Sequence, residues 1–308
     1  MPELPEVETV RAGLEPHVLG RRISSAQVYR DRAVRRQDGG PEAFAALLAG
    51  RTIGQVVRRG KFCWLTLTGP DGVPEDYALL VHLGMSGQML VKTSDAGTEG
   101  HPHLRVRLQL EEGTQLWFVD QRTFGYLSVE DLVPTVDHGP GGFAGQDVAA
   151  ALVPLAVAHI GRDLLDPALA PGTGARRELN RRLRAGRRGI KRALLDQSLI
   201  SGIGNIYADE ALWRTKVHYD QPTDRMSAAR IEAVLEAAIE VLAEALAAGG
   251  TSFDALYVNI EGVSGYFARS LNVYGREGLP CKRCGTPILR EKFMNRSSHF
   301  CPVCQRRR

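Results

Sequence analysis

Four cysteines near the end of this chain constrain its fold more than any other feature. They stand in the pattern Cys281-x2-Cys284-x16-Cys301-x2-Cys304, in a chain of 308 residues. Two Cys-x2-Cys pairs at this separation are typical of tetrahedral thiolate coordination of zinc, with two ligands from each pair. An iron–sulfur site and a pair of redox dithiols are the alternatives. Since four thiolates leave no open position for water, we predict one structural Zn²⁺ that folds a small hairpin and does no chemistry.

The first part of the chain has the pattern of an antiparallel β domain. Apolar residues at helical spacing predict one helix over residues 3–19. Short runs rich in valine, leucine and aromatic residues follow, separated by glycine, aspartate and proline, at 24–29, 52–57, 62–67, 77–82, 104–110, 115–119 and 126–129. These runs predict a sandwich or a barrel over residues 1–136. The fifth cysteine, Cys63, is expected to be a core residue of this domain.

The rest of the chain has a helical pattern. Residues 137–175 are rich in glycine and proline and predict a linker with one or two short helices. Helices are then predicted at 176–185, 190–199, 206–215 and 227–248. We therefore expect a helical domain over 176–275 and the cysteine segment over 276–308. A chain about twice the ~150 residues of one domain agrees with this division.

Charge is spread unevenly along the chain, although the formal net charge is only +4. Residues 176–192 hold nine Arg or Lys and one Glu, and residues 276–308 hold nine Arg or Lys and two Glu. Two such basic segments predict a surface that binds phosphates, and the alternative is a solvated surface rich in arginine. The long predicted helix has a glutamate at every fourth position, at Glu232, Glu236, Glu240 and Glu244. We interpret this row as a solvated face.

No targeting or membrane segment is expected. The start of the chain is acidic and interrupted by prolines, unlike a secretory signal. The longest apolar stretches, such as 77–83, fall far short of the ~18–20 residues that cross a bilayer. We therefore expect a cytoplasmic protein without a membrane partner.

A glycine-rich turn stands between two of the predicted helices, at Ser201-Gly202-Ile203-Gly204-Asn205. Glycines permit a tight turn and bring backbone N–H groups close to an anion at the start of the next helix. A plain connection between helices is the alternative. Beside a strongly basic segment, we favour a helix–turn–helix that holds a phosphate.

The start of the chain offers a nucleophile if Met1 is removed. Removal would leave Pro2 with a free secondary amine beside Glu3. An α-amine has a pKa near ~8 against ~10.4 for lysine, so a larger fraction is neutral and nucleophilic at pH 7. An amine with an adjacent carboxyl group is the minimum for Schiff-base chemistry. The alternative is an ordinary helix start.

Taken in order, these features resemble one family, the formamidopyrimidine-DNA glycosylases, which excise damaged bases and also cleave abasic sites. The motifs that carry the resemblance are Met1-Pro-Glu-Leu-Pro-Glu-Val-Glu-Thr9, Arg59-Gly-Lys61, His82-Leu-Gly-Met-Ser-Gly87, Asp120-Gln-Arg-Thr-Phe-Gly125, Gly202-Ile-Gly-Asn-Ile-Tyr-Ala-Asp-Glu210, Gly265-Tyr-Phe267, Val273-Tyr-Gly-Arg276 and the four cysteines. The resemblance implies an α+β fold. It consists of an N-terminal two-sheet β-sandwich with flanking helices, a helix–two-turn–helix domain and a zinc ribbon.

The resemblance also implies catalytic roles. Pro2 would attack C1′ of the damaged nucleotide, with Glu3 as the proton donor and Glu6 in the same pocket. Lys61 would contact phosphate and assist β-elimination, and Arg296 would grip phosphates and assist δ-elimination. DNA contacts are implied for His101, Arg122, Arg187 and Asn205. The gap left by the extruded base would be filled by Met85, Arg122 and Phe124.

The stretch 249–266 resembles the loop that closes over an oxidised purine, and the opening Glu-Leu-Pro favours the purine-directed branch. We therefore predict a monomeric enzyme that removes 8-oxoguanine and formamidopyrimidines from double-stranded DNA and nicks the abasic site by β,δ-elimination, with zinc as its only cofactor. One alternative is an endonuclease VIII-like glycosylase for oxidised pyrimidines. Another is a catalytically inactive DNA-binding homologue, against which the intact Pro2-Glu3 pair argues.

Overall fold

The computed structural model describes residues 2–93, 101–250 and 270–307. The chain forms two compact units. Among the described residues, unit 1 comprises Pro2 and Glu6–His159, and unit 2 comprises Glu3–Pro5, 160–250 and 270–307. Each unit has a hydrophobic core of its own.

Two antiparallel sheets form most of unit 1. The strands are β1 (Ile23–Val28), β2 (Thr52–Arg59), β3 (Phe62–Thr68), β4 (Pro74–His82), β5 (Gly87–Thr93), β6 (Leu104–Leu110), β7 (Thr114–Asp120), β8 (Tyr126–Pro134), β9 (Phe143–Ala144), β10 (Asp147–Val148) and β11 (Leu152–Pro154). One sheet has the order β1-β6-β7-β5, and the other has the order β10-β9-β2-β3-β4-β8-β11. Buried residues of both sheets, such as Leu65 and Phe118, share one core with the first helix, so the predicted sandwich is confirmed.

Two helices flank the sandwich, α1 (Leu4–Val18) and α2 (Gly40–Leu48). The first agrees with the helix predicted over 3–19, because its apolar residues recur at helical spacing and are buried. The second was not predicted, since nine residues that begin at a glycine pair resemble a loop more than a helix. Strand β5 was also missed. It starts directly after a turn, and its pairing with β7 is a long-range contact that the local pattern does not reveal.

Unit 2 is helical and ends in a hairpin. Its elements are α3 (Gly174–Ala185), α4 (Ile190–Leu194), α5 (Asn205–Arg214), α6 (Ala228–Ala247), β12 (Leu289–Phe293) and β13 (Arg296–Phe300). The four helices bury their apolar faces in one core, which also contains Leu4 from the start of the chain. None of the described helices has both the length and the apolar character that a bilayer-spanning segment needs.

Helix α4 ends five residues before the predicted end at residue 199. The carboxylate of Asp196 accepts hydrogen bonds from the Ser198 backbone N–H (3.1 Å) and the Ser198 hydroxyl (2.6 Å). Such a local turn competes with helix and stops it. The residues that follow connect α4 to α5.

The glutamate row of α6 is only partly the solvated face that we expected. Glu236, Glu240 and Glu244 are exposed. Glu232 is half-buried and forms an ion pair with Arg176, at 2.9 Å from its Nε atom. The first glutamate of the row therefore joins α6 to α3, because a buried guanidinium requires a carboxylate partner.

Candidate active site and metal centre

The four cysteines of the ribbon converge in space. Their Sγ atoms all lie within 4.8 Å of one another. The Sγ atom of Cys284 lies 3.4 Å from that of Cys301 and 3.5 Å from that of Cys304. Tetrahedral zinc with Zn–S bonds of about 2.3 Å requires sulfur atoms about 3.8 Å apart, so the cluster fits zinc.

The end of helix α5 forms one wall of this metal centre. Trp213 donates from its indole Nε1 to Sγ of Cys281 at 3.4 Å, and the Arg283 guanidinium lies 4.0 Å from the centroid of the indole ring. N–H donors to sulfur reduce the negative charge that four thiolates place around the metal. The buried Val273 and Ile288 complete a small core with these residues. The metal therefore stabilises both the hairpin and its attachment to α5.

The glycine turn before α5 holds a carboxylate of the same chain. Glu3 is buried, and its two oxygens accept hydrogen bonds from the N–H groups of Gly204 (2.8 Å) and Ile206 (3.0 Å). The backbone of Leu4 in turn donates to the carbonyl of Gly202 at 3.1 Å. The sequence predicted that a phosphate would occupy this turn. The prediction was wrong for these two donors, because the carboxyl group of Glu3 occupies them.

A buried ion pair links α4 to α5. Nζ of Lys191 lies 2.7 Å from Oδ1 of Asp209, and both side chains are at most 1% exposed. Burial lowers the pKa of Lys191, and the charge of Asp209 opposes that shift. Lys191 also donates to the Ser298 hydroxyl at 2.8 Å, and Asp209 accepts from the backbone N–H of His299 at 2.9 Å. The pair thereby holds β13, the strand that begins with Arg296.

Two more side chains of helix α5 form hydrogen bonds that attach the helix to neighbouring segments of unit 2. Asn205 donates from its amide to the carbonyl of Ser297 at 3.0 Å. The Glu210 carboxylate accepts hydrogen bonds from three consecutive backbone N–H groups, at 2.8–3.0 Å, those of Asn272, Val273 and Tyr274. Asn205 was predicted as a site residue, whereas Lys191, Asp209 and Glu210 were missed. Asp209 and Glu210 belong to the motif at 202–210 that carries the family resemblance, and that motif was the signal that could have found them.

In unit 1, one buried carboxylate joins two loops. Oδ1 of Asp120 accepts hydrogen bonds from the Ser86 hydroxyl at 2.6 Å and from the backbone N–H of Arg122 at 3.1 Å. Oδ2 accepts from the backbone N–H of Gly125 at 2.7 Å. These loops carry Met85 and Phe124, whose side chains are 42% and 46% exposed. Met85 and Phe124 are therefore large apolar side chains exposed to solvent, on loops that hydrogen bonds to Asp120 hold in place.

The same two loops are in close contact. A Cβ placed on Gly84, which has a φ of +62°, would lie 2.4 Å from the backbone nitrogen of Gly125. Arg35 donates to the carbonyls of Phe124 (2.8 Å) and Gly125 (2.7 Å). Thr123 has a φ of +52°, a conformation that a threonine seldom adopts. These hydrogen bonds therefore hold the loop that carries Phe124 in a strained conformation.

The remaining predicted residues fall in both units. Pro2 and Glu6 are buried, and Lys61 is half-buried at the β2–β3 turn of unit 1. His101 is exposed beside Trp117, with 6.4 Å between their ring centroids, and partial burial is the largest cause of its lowered pKa. Arg187 in unit 2 has a side chain that is 90% exposed. Arg122 and Arg296 are also exposed, and nearly all of the predicted lesion loop at 249–266 lies outside the described residues.

Three family models match the chain in order. The N-terminal domain of formamidopyrimidine-DNA glycosylase matches residues 1–127, the H2TH domain of that enzyme matches 161–256, and the zinc finger found in FPG and IleRS matches 278–307. The chain belongs to the formamidopyrimidine-DNA glycosylase family. Its Cys₄ cluster agrees with the zinc finger that the third model describes.

Curated relatives agree with this membership over their full length. The formamidopyrimidine-DNA glycosylase of Leifsonia xyli subsp. xyli is 53% identical over 310 residues, which cover 99% of this chain and 100% of the relative. That of Nocardioides sp. is 55% identical over 308 residues, which cover 99% and 94%. The predicted family, a DNA-repair glycosylase and abasic-site lyase, is therefore confirmed.

Solved structures of the family have the same fold. MutM (Fpg) of Thermus thermophilus is 35% identical, with a TM-score of 0.77 over 100% of both chains. A variant of Lactococcus lactis Fpg, in a complex with DNA that contains Fapy-dG, is 31% identical. Its TM-score is 0.79 over 99% of this chain and 100% of that one. The predicted α+β fold and the single structural zinc are confirmed.

Proposed function

We propose that this protein excises oxidised purines, chiefly 8-oxoguanine and formamidopyrimidines, from double-stranded DNA and then cleaves the abasic site by β,δ-elimination. The observation that carries the proposal is the fixed position of Glu3, directly after Pro2 in the chain. Two backbone hydrogen bonds orient its carboxyl group. An acid oriented beside an amine is what Schiff-base catalysis requires.

Pro2 is the proposed nucleophile, with its amine freed by removal of Met1. Its nitrogen lone pair forms a bond to C1′, and the electrons of the glycosidic bond leave with the base, which takes up a proton. The C1′–O4′ bond of the sugar then breaks and O4′ takes up a proton, which leaves an iminium ion between C1′ and the proline nitrogen. The iminium ion acidifies the hydrogen at C2′, so loss of that proton expels the 3′ phosphate. Loss of the C4′ proton in a second elimination expels the 5′ phosphate. Glu3 is the proposed group that supplies and returns protons, and Glu6 is proposed to support it.

Lys61 and Arg296 are the proposed cations of the two eliminations. Each expelled phosphate carries negative charge away from the sugar, and a nearby cation lowers the barrier to that step. Lys61 follows Gly60 at a tight turn, where Gly60 has a φ of +58°. Arg296 starts β13, which the Lys191–Asp209 pair attaches to α5. Both cations are therefore carried on fixed backbone rather than on long loops.

Met85, Arg122 and Phe124 are proposed to fill the space that the extruded base leaves. Base extrusion costs a few kcal/mol of stacking, and apolar or planar side chains recover part of that cost. The exposed Met85 and Phe124 suit this role, because neither side chain belongs to the core of unit 1. Asp120 fixes both loops in advance, which reduces the entropy that insertion costs.

We assign catalysis to a domain over 1–136, DNA binding to a domain over 176–275 and the zinc finger to 276–308. The segment 137–175, expected to be a linker, instead adds β9, β10 and β11 to a sheet of unit 1, which continues to His159. His101, Arg187 and Asn205 are proposed as further DNA contacts. We propose that the protein acts as a monomer on the bacterial nucleoid, in the cytoplasm. Arg187, with its highly exposed side chain, suits a phosphate contact best.

A strand-nicking assay tests this function. Duplexes with one 8-oxoguanine, one thymine glycol or no lesion are incubated with the zinc-loaded protein, and the cleaved ends are resolved. We expect fast cleavage at 8-oxoguanine that leaves phosphate at both ends of the gap. Faster cleavage at thymine glycol would favour the endonuclease VIII-like alternative, and no cleavage of any duplex would favour an inactive homologue.

A further inference from the structure

Four cationic side chains surround a cleft in unit 2, outside the residues that the proposed function uses. They are Lys216, Arg225, Arg230 and Arg306. Two adjoining cavities of about 310 Å³ each form the cleft, and both are lined by Lys216, Arg230 and Arg306. The cleft lies where the loop after α5, the start of α6 and the second cysteine pair of the ribbon come together.

No carboxylate among the described lining residues compensates the charges of this cleft. The anionic group at its edge is the Cys304 thiolate, which belongs to the zinc site. Most other arginines with an intramolecular role have a carboxylate partner, as Arg58 has in Glu8 at 2.7 Å and Arg214 has in Glu244. No described carboxylate lies within 4.0 Å of the charged atoms of the four cleft cations.

Acidic residues close to the cleft in sequence are engaged elsewhere. The Asp224 carboxylate lies 3.9 Å from the Arg187 guanidinium, and the Glu232 carboxylate lies 2.9 Å from that of Arg176. The Asp220 carboxylate lies 2.9 Å from the Arg307 guanidinium. The Glu291 carboxylate accepts a hydrogen bond from the hydroxyl of Tyr219. Neither Asp220 nor Glu291 lines the cleft, although both lie near His218, which does. The cleft is therefore a local excess of positive charge in a chain whose formal net charge is only +4.

The backbone beneath the four cations is fixed. Arg230 donates from its guanidinium to the carbonyl of Lys216 at 3.2 Å, so one wall of the cleft holds the other. Gln305, next to Arg306, donates from its amide to the carbonyl of Val217 at 2.9 Å. Ser227 caps α6 and lines the cleft, so the positive end of a 20-residue helix faces the same region. The site is thus built on three anchored segments.

We propose that this cleft binds a phosphate group. Like charges held around one cavity repel, and a dianion among them removes that repulsion while it forms charge-assisted hydrogen bonds. The absence of acidic lining residues excludes cationic ligands from the same place. Either a backbone phosphate of nucleic acid or free inorganic phosphate has this chemistry. The proposal does not depend on the catalytic assignment, because none of the four cations belongs to it.

The experiment uses the full zinc-loaded chain and two double variants of equal net charge. Lys216→Gln/Arg230→Gln removes two cleft cations. The control Arg21→Gln/Arg22→Gln removes a half-buried and an exposed arginine of unit 1, which pair with Glu112 and Glu111. Circular dichroism confirms that each is folded. The thermal unfolding midpoint is measured against inorganic phosphate at constant ionic strength. The affinity for a short undamaged duplex is measured against sodium chloride concentration.

Phosphate is expected to raise the unfolding midpoint of the wild type and of the unit 1 variant, but not that of the cleft variant. If the bound phosphate belongs to DNA, the slope of log affinity against log salt also falls by about 1 for each lost contact in the cleft variant. A stabilisation by phosphate with an unchanged slope identifies free phosphate as the ligand. Equal behaviour of the two folded variants in both measurements overturns the proposal. Neither readout requires base excision, so a failure here is distinct from a failure of the proposed activity.

Discussion

The Ser86 hydroxyl donates a hydrogen bond of 2.6 Å to the buried carboxylate of Asp120. Because the same carboxylate accepts from the backbones of Arg122 and Gly125, one charge anchors both exposed loops of unit 1. The loops therefore cannot move independently without leaving a buried acceptor unsatisfied. If Met85 and Phe124 enter DNA as we propose, Asp120 sets their separation.

Replacement of Asp120 tests this coupling. Asp120→Asn keeps the shape of the side chain but replaces one carboxylate oxygen with an NH₂ group, which cannot accept a hydrogen bond from a hydroxyl or a backbone N–H. The free energy of unfolding should fall by about 1–3 kcal/mol. We expect slower single-turnover excision from an 8-oxoguanine duplex and little change in cleavage of an abasic site in single-stranded DNA. In the Phe124→Ala background the same substitution should add little, since coupled sites are not additive. Additive losses, or equal losses on both substrates, would mean that Asp120 acts only through the stability of the fold.

The contact between Glu3 and the glycine turn predicts a specific intolerance at Gly204. A Cβ at this position would lie 2.1 Å from Cδ of Glu3, so the buried carboxylate would have to move. We expect Gly204→Ala to abolish excision and to lower the free energy of unfolding by about 1–3 kcal/mol. Gly174→Ala is the matched control, because a Cβ there meets nothing within 4 Å. Activity of Gly204→Ala equal to that of the control would contradict the role of Glu3.

His82 predicts part of the dependence of stability on pH. Burial, together with Arg36, Arg35 and Lys61, lowers its pKa from 6.5 to about 4. The His82 ring therefore takes up a proton below about pH 6.5 in the unfolded chain, but only below about pH 4 in the folded protein. The contribution of the neutral His82 ring to the free energy of unfolding is fully present above pH 6.5. It decreases as the pH falls, by about 3 kcal/mol at pH 4.

Chemical denaturation at several pH values measures this effect. His82→Phe retains the ring stacking between Phe62 and Tyr126, whose centroids each lie 5.0 Å from that of His82. Its free energy of unfolding should fall less than that of the wild type between pH 6.5 and pH 4.5. His17→Gln, at an exposed position, should follow the wild type. A His82→Phe curve parallel to the wild-type curve would refute the assignment.

Zinc removal should affect unit 2 and leave unit 1 folded. No cysteine of the cluster belongs to unit 1, so chelation should abolish DNA binding and leave the β-sandwich folded. Metal content by mass spectrometry, circular dichroism and duplex affinity measure the outcome. Cys284→Ser should lose zinc, whereas Cys63→Ser should retain it, because Cys63 is buried in the core of unit 1. Unchanged affinity after full zinc loss would exclude a role of the ribbon in binding.

Features set by short-range pattern could be predicted from the sequence. Helix α1 followed from apolar spacing, and the zinc site followed from two Cys-x2-Cys pairs, since both depend on residues a few positions apart. The burial of Cys63 was predicted as well, and burial raises the pKa of its thiol to about 12. Catalytic roles came from the family resemblance, because one proline and one glutamate at a chain start do not by themselves indicate an enzyme.

Features set by distant contacts could not be predicted. Glu3 reaches Gly204 across 201 positions, so local pattern could not reveal that it fills the turn assigned to a phosphate. Lys191 and Asp209 each look like a surface charge until the fold buries both. Asp120 belongs to a motif that carries the family resemblance, yet its three partners come from two loops that meet only in the folded sandwich.

Borohydride trapping on a duplex with one 8-oxoguanine tests the central claim most directly, because reduction converts a Schiff base into a permanent bond between protein and DNA. We expect a covalent adduct from the wild type, a strongly reduced one from Pro2→Gly and an undiminished one from Pro16→Ala, which changes an exposed proline of α1. Peptide mapping should locate the adduct at Pro2. No adduct from the wild type, or an undiminished adduct from Pro2→Gly with Met1 retained, would contradict the mechanism.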